Sequence, residues 1–122
     1  MSLHLVILVG IGGGIGSILR YVISITLMPF SPWFTVIINI SGGFLIGLLY
    51  QYTLDLSYSD NIRAFGIIGV CGGFTTFSAF GLDFLHLFRE GQIVLGFLYV
   101  ILSVIGTILA VFAGVRLYQF LN

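Results

Sequence analysis

Three hydroxyl-bearing residues late in the chain, Tyr99, Ser103 and Thr107, recur every four positions, a spacing that lines them along one face of a helix. Thr35 and Asn39 stand one turn apart in the same way, and Arg20 lies well inside an apolar run. A single polar side chain in a hydrophobic helix is ordinary helix-to-helix glue. Two aligned stripes with a guanidinium nearby point instead to a route for an ion or a polar substrate. No acidic residue lies deep in the runs that carry these groups, so the lining is rich in donors and suits an anion. In the stretch GGFTTFSAF, Gly72 to Phe80, the two phenylalanines Phe77 and Phe80 are three apart and share a helix face. Aromatic rings have a positive edge that attracts an anion, but two phenylalanines at this spacing also fill ordinary cores, and both readings stand on the residues alone.

Other chemistry is poorly supplied. Cys71 is the single cysteine, with no second thiol for a disulfide or a metal, so it reads as a packing residue. His4 and His86 lie at opposite ends of different apolar runs, without a carboxylate or cysteine at ligand spacing. The glycines of GIGGGIGS, Gly10 to Ser17, miss the dinucleotide-binding frame: counted from Gly10 the last position is Ile15, and from Gly12 it is Ser17. With no lysine in the chain there is no phosphate-binding loop of the GK type. Nucleophile, base and metal are all missing as a set, and the expectation is a protein that is not an enzyme.

The elements that position these groups follow from composition. The chain has 122 residues, 59% hydrophobic and only 7% charged, more apolar surface than a water-soluble domain of this size can hide. Its apolar runs match the roughly 20 residues a helix needs to cross a bilayer. Four spans are expected, Leu3 to Met28, Trp33 to Tyr52, Ile62 to Phe88 and Ile93 to Tyr118, joined by short connectors. The fold class is an all-α membrane protein with a single four-helix domain over residues 1–122. The first run lacks the basic start and small-residue cleavage pattern of a signal peptide and is expected to stay in the membrane. Small residues four apart, Gly10 with Gly14, Gly12 with Gly16, Gly13 with Ser17, Gly43 with Gly47 and Gly106 with Ala110 and Gly114, predict closely packed helix seams.

The third run is the odd one. Gly72, Gly73, Thr75 and Thr76 weaken a helix in the middle of it, and unpaired backbone groups at membrane depth need protein, water or an ion to satisfy them. A break there could turn carbonyls toward a cation, as broken transporter helices do. A glycine kink with threonine hydroxyls bonded to the preceding turn is the alternative.

GGGIGSILRY (Gly12 to Tyr21), FTVIINISGGFLIG (Phe34 to Gly47) and GVCGGFTTFSAF (Gly69 to Phe80) together resemble the Fluc fluoride channels, also called CrcB proteins, along the length of the chain. Ser17, Gly43 and Ala79 stand where that family commonly has alanine, serine and threonine, and Ala79 removes one hydroxyl from the pattern. The resemblance implies an antiparallel, dual-topology homodimer with two fluoride pores between the subunits and a third helix broken in the middle. It implies a structural sodium ion, Na+, on the dimer axis, held by backbone carbonyls of Gly72 and Thr75. Phe77 and Phe80 would face fluoride with their ring edges, Asn39 would donate its amide, and Tyr99, Ser103 and Thr107 would form a hydroxyl track joined by Thr35 and Ser78. Arg20 would sit at the entrance. Transport would be passive export of fluoride across a bacterial inner membrane. A proton-coupled small-molecule exporter of dual topology would need a deep carboxylate, for which Asp83 is the available residue, and a non-transporting assembly subunit would explain the seams without the donor stripes.

Charge placement generates a first prediction. With four spans, Arg63 and Arg116 fall on one side and Arg20 and Arg89 on the other, so the loop bias that orients a membrane protein is balanced. A cysteine placed at the carboxyl end, Asn122→Cys, should be labelled in cells from both sides of the membrane. Labelling from one side only contradicts the balance.

Overall fold

The computed structural model describes residues 2–122. Among them every regular element is helical, and four helical runs are long and apolar enough to cross a membrane. Helix α1 is Leu3–Thr26 and α2 is Trp33–Leu54. The third run, Asp60–Arg89, is composite. A turn at Asp60–Ile62 leads into a π-helical segment, Arg63–Cys71, then a turn at Gly72–Phe74. Thr75 and Thr76 take extended backbone angles, after which α3 runs over Phe77–Arg89. Helix α4 is Ile93–Leu121.

The ends differ from the sequence expectation by two or three residues for local reasons. Helix α1 stops at Thr26 rather than Met28 because Pro29 has no N–H with which to continue the α-helical ladder, and Met28–Phe30 form a short 3-10 turn. Helix α2 passes Tyr52 to reach Leu54, where the Thr53 hydroxyl donates to the Tyr50 carbonyl and in turn accepts from Arg63 Nε at 3.1 Å. The third run begins at Asp60 rather than Ile62, with the Arg63 N–H on the Ser59 carbonyl. Helix α4 continues past Tyr118, whose carbonyl accepts from the Asn122 amide.

Two glycine seams hold the bundle. In α1, a Cβ on Gly12 or Gly16 would overlap the carbonyl oxygens of Phe65 and Val70, and one on Gly73 would overlap the Gly13 carbonyl. The α1 backbone therefore lies directly against the π-helical segment, and Ser17 donates across the seam to the Gly73 carbonyl. On the other side α2 packs on α4: a Cβ on Gly47 would meet the Val111 carbonyl, and one on Gly114 would meet that of Phe44. In lipid, such close backbone approach supplies the packing that water cannot drive. The seams predicted from GIGGGIGS and from the small residues of α2 and α4 are thus engaged within the chain. The stripe of Gly10 and Gly14 is the exception, since both have open space around a Cβ.

Gly47→Val should therefore lower the stability of the detergent-solubilised protein by about 2 kcal/mol or more, in the range of overpacked cores, read as a drop in Tm. Gly81 has open space around its Cβ, so Gly81→Ala should leave Tm unchanged or raise it. A Gly47→Val protein that melts with wild type contradicts the seam.

Candidate functional site

The extended pair Thr75 and Thr76 poses a backbone accounting problem, because a main-chain N–H or C=O left unpaired inside the membrane costs several kcal/mol. Asn39 solves it for Thr76, from α2. Its Oδ1 accepts the Thr76 N–H at 2.8 Å and its Nδ2 donates to the Thr76 carbonyl at 2.9 Å. The partners fix which way the amide faces, since a backbone N–H needs an acceptor and a carbonyl needs a donor. The Thr76 hydroxyl then accepts the Ala79 N–H at 3.1 Å and acts as the N-cap of α3.

These bonds have a consequence for the carbonyls on the amino side of the break. In an uninterrupted helix the Gly72 carbonyl would accept from Thr76 N and the Thr75 carbonyl from Ala79 N. Both donors are turned elsewhere, to Asn39 Oδ1 and to Thr76 Oγ1. The two carbonyls named for a cation in the sequence reading are thereby released from the helical ladder, and Gly72 is exposed on the surface of the chain. Uncharged main-chain oxygens of this kind suit a hard monovalent cation.

Around the break lies a cavity of about 340 Å³ between α2, α3 and α4. Asn39, Thr75, Thr76, Phe77, Phe80, Ser103 and Thr107 line it, with Gly43 and the aliphatic side chains of Ile46, Val104, Ile108 and Val111. Five residues proposed for the ion path from sequence, Asn39, Phe77, Phe80, Ser103 and Thr107, thus share one wall system with Thr75. Phe77 and Phe80 lie 5.3 Å apart between ring centroids, and Phe80 stacks on Tyr99 at 5.5 Å with the planes 18° apart. Phe77 is 81% exposed in the single chain, so the ring is presented outward rather than packed in a core.

Tyr99 closes one end of this stack. It is fully buried, and its hydroxyl donates to Asp83 Oδ2 at 2.8 Å. A phenol has a single hydrogen to give, so Tyr99 in this arrangement is bonded to a carboxylate and does not face the cavity as a donor. Thr35 and Ser103 are different. Both are buried, and neither hydroxyl has a hydrogen-bond partner among the described residues. A buried hydroxyl left unpaired costs about 1–3 kcal/mol, and of the two Ser103 also lines the cavity.

Five residues of the sequence-based set stand apart from the cavity wall, Thr35 and Tyr99 among them. Arg20 is half-buried on α1, where its carbonyl accepts from the Ser24 hydroxyl at 2.7 Å. Ser78 is exposed, its hydroxyl 3.3 Å from that of Thr76. Gly72 precedes the extended pair and meets the cavity only through its neighbours.

Thr76 and Asp83 were missing from the set. A threonine directly before a helical run is an N-cap signal, and it precedes the ring pair. Asp83 continues the i, i+3 line of Phe77 and Phe80, so it was visible as the next residue on the ring face. A second, polar recess of about 200 Å³ adjoins it, lined by Asp83, His86, Glu90, Gln92, Ser31 and Trp33 among others.

With this geometry in place, likeness to known proteins is informative. The family model described as "CrcB-like protein, Camphor Resistance (CrcB)" matches residues 7–115. A protein of Rhizobium meliloti (strain 1021) named "Fluoride-specific ion channel FluC" is 44% identical over 119 residues, covering 93% of this chain and 95% of the relative. One of the same name from Methylobacterium radiotolerans is 45% identical over 120 residues, covering 93% and 84%. Another, from Azobacteroides pseudotrichonymphae, is 41% identical over 120 residues, covering 94% and 96%. Matched from the first span to the last, and over nearly the whole length of these relatives, the chain belongs to the CrcB family.

Proposed function

We propose that this multi-pass membrane protein is a passive, fluoride-selective channel that releases fluoride from the cytoplasm across a bacterial inner membrane. The observation that carries the reading is the cavity at the break, where Asn39, Ser103 and Thr107 offer neutral donors beside the outward-facing ring of Phe77 and the partly buried ring of Phe80. The names of the relatives supply the ion.

Fluoride is small and strongly hydrated, so a selective path must replace its water with donors at close range. An amide and hydroxyls do this without a fixed positive charge, which would bind the ion too tightly to release it. Ring edges add a weak attraction in a dry site, where electrostatic contacts count for more than in water. The aliphatic remainder of the wall keeps the passage narrow and disfavours a larger halide.

The working unit in this reading is an antiparallel homodimer of dual topology with two pores between the subunits. Three features of the single chain support it: balanced arginines, the open stripe of Gly10 and Gly14, and Phe77 presented outward. The third helix, interrupted at Thr75 and Thr76, would place the released carbonyls of Gly72 and Thr75 at the subunit contact, where they would hold a sodium ion. When bound, that ion supplies positive charge that ties the subunits together. Arg20 would serve as an electropositive entrance, and Thr35 and Ser78 would extend the polar lining beyond the cavity. Tyr99, its hydrogen held by Asp83, would contribute its ring stacked on Phe80 rather than a donor.

Purified protein in liposomes should release trapped fluoride, read by a fluoride electrode, and retain chloride. A liposome preparation that holds fluoride as well as protein-free vesicles do contradicts the proposal. Phe80→Ile conserves apolar volume, a change that costs packing less than about 1.5 kcal/mol. It should nevertheless cut fluoride efflux at least tenfold, equivalent to about 1.4 kcal/mol at the limiting barrier, with unchanged elution on size exclusion. Phe120→Ile, near the carboxyl end, should leave efflux unchanged. Wild-type efflux from Phe80→Ile would return the rings to packing. Exchange into a sodium-free buffer without a substitute cation should weaken dimer association and silence efflux; unchanged association and efflux would remove the cation from the account.

A further inference from the structure

The ring pair sits in the first turn of α3, and the direction of a helix is set where it starts. That start is made by one residue. Thr76 takes extended angles, φ −152° and ψ 124°, and its hydroxyl caps the Ala79 N–H. Its own N–H and C=O are both held by Asn39 on α2. It is buried, and it lies between Thr75 and Phe77 in the cavity wall. Every polar group of Thr76 therefore acts on the geometry of the break: the main chain anchors it to α2, and the hydroxyl fixes where helical hydrogen bonding resumes.

Resting on the fluoride-channel reading above, we infer that Thr76 is the positioning residue of the ion path, aiming the Phe77 and Phe80 rings through its N-cap hydroxyl. Without the cap, the Ala79 N–H returns to its helical partner, the Thr75 carbonyl. Helix α3 then starts a residue earlier, turning the first-turn rings about the helix axis by a part of the ~100° that one residue represents. The stack of Phe80 on Tyr99 is lost with that turn, and so is the wall that discriminates between anions. Serine keeps the acceptor at the same place, asparagine offers an alternative one, and valine keeps the shape of threonine without any acceptor.

The test is a series at this position in the full-length protein, comparing Thr76→Ser and Thr76→Asn with Thr76→Val and Thr76→Ala. Efflux of fluoride and chloride from liposomes is read alongside the ring carbon resonances of Phe80 in protein labelled on phenylalanine, assigned by their disappearance in Phe80→Ile. The capping variants should pass fluoride within about threefold of wild type and keep the Phe80 shifts. The two without an acceptor should lose at least tenfold in fluoride efflux, admit more chloride relative to fluoride, and move the Phe80 shifts. Thr76→Ala, which removes bulk and adds none, carries the same comparison if Thr76→Val does not fold. Unmoved Phe80 shifts with wild-type efflux in Thr76→Ala, or serine as impaired as alanine, overturns the assignment. The resonances report on ring position whether or not fluoride is the ion. Wild-type protein that passes no fluoride while the shifts still follow the cap therefore sinks the functional reading and leaves the positioning role standing.

Discussion

Backbone hydrogen bonding in a medium without water is the constraint on which this structure turns. A helix can cross lipid because it pairs its own N–H and C=O groups, and any departure from helix must be satisfied by other protein groups or by a ligand. This chain departs at Thr75 and Thr76. One side chain, Asn39, takes both main-chain polar groups of Thr76, and the Thr76 hydroxyl takes the Ala79 N–H. The same bonds leave the Gly72 and Thr75 carbonyls without their helical donors. Satisfying one set of groups has thus released another, of which Thr75 lies in the cavity wall with the aromatic pair.

The packing around the break keeps it in place. The glycine seam between α1 and the π-helical segment fixes the helix on its amino side, and the seam between α2 and α4 fixes the wall that Asn39, Ser103 and Thr107 share. Tyr99 spans the two halves, stacked on Phe80 and bonded to Asp83. That bond orients a carboxylate that would otherwise stand free near the proposed path of an anion, where its charge is least welcome in a low dielectric. A π-helical stretch of nine residues is long for a form that occurs mostly as single turns, and such stretches concentrate at functional sites.

Much of this was legible in the sequence, and the reasons for what was not are physical. Four apolar runs of bilayer length gave the helices, with ends misplaced where proline geometry or a hydroxyl bond decided the last turn. The i, i+4 spacing of Ser103 and Thr107 and the i, i+3 spacing of Phe77 and Phe80 put them on the cavity wall because helical periodicity is strict. The partner of each seam was not legible, since small-residue spacing says that a helix is approached closely without saying by what. Gly12 and Gly16 turned out to face the chain's own third run. The pair of hydrogen bonds between Asn39 and Thr76 joins residues 37 positions apart, and no local pattern encodes a contact at that distance. Tyr99 shared the periodicity of the donor stripe, yet its single hydrogen goes to Asp83 on a neighbouring helix.

In the proposed channel Asn39 does two things at once, holding the break through one amide hydrogen while the other would meet fluoride in the cavity. An NMR titration of the Asn39 side-chain amide in detergent-solubilised protein tests this directly, because the two Nδ2 protons are separate signals. On adding fluoride, one proton should shift and acquire coupling to 19F, while the other, bonded to the Thr76 carbonyl, stays where it is; chloride should move neither. Two protons that ignore fluoride, or two that move together as the amide leaves Thr76, would contradict the account.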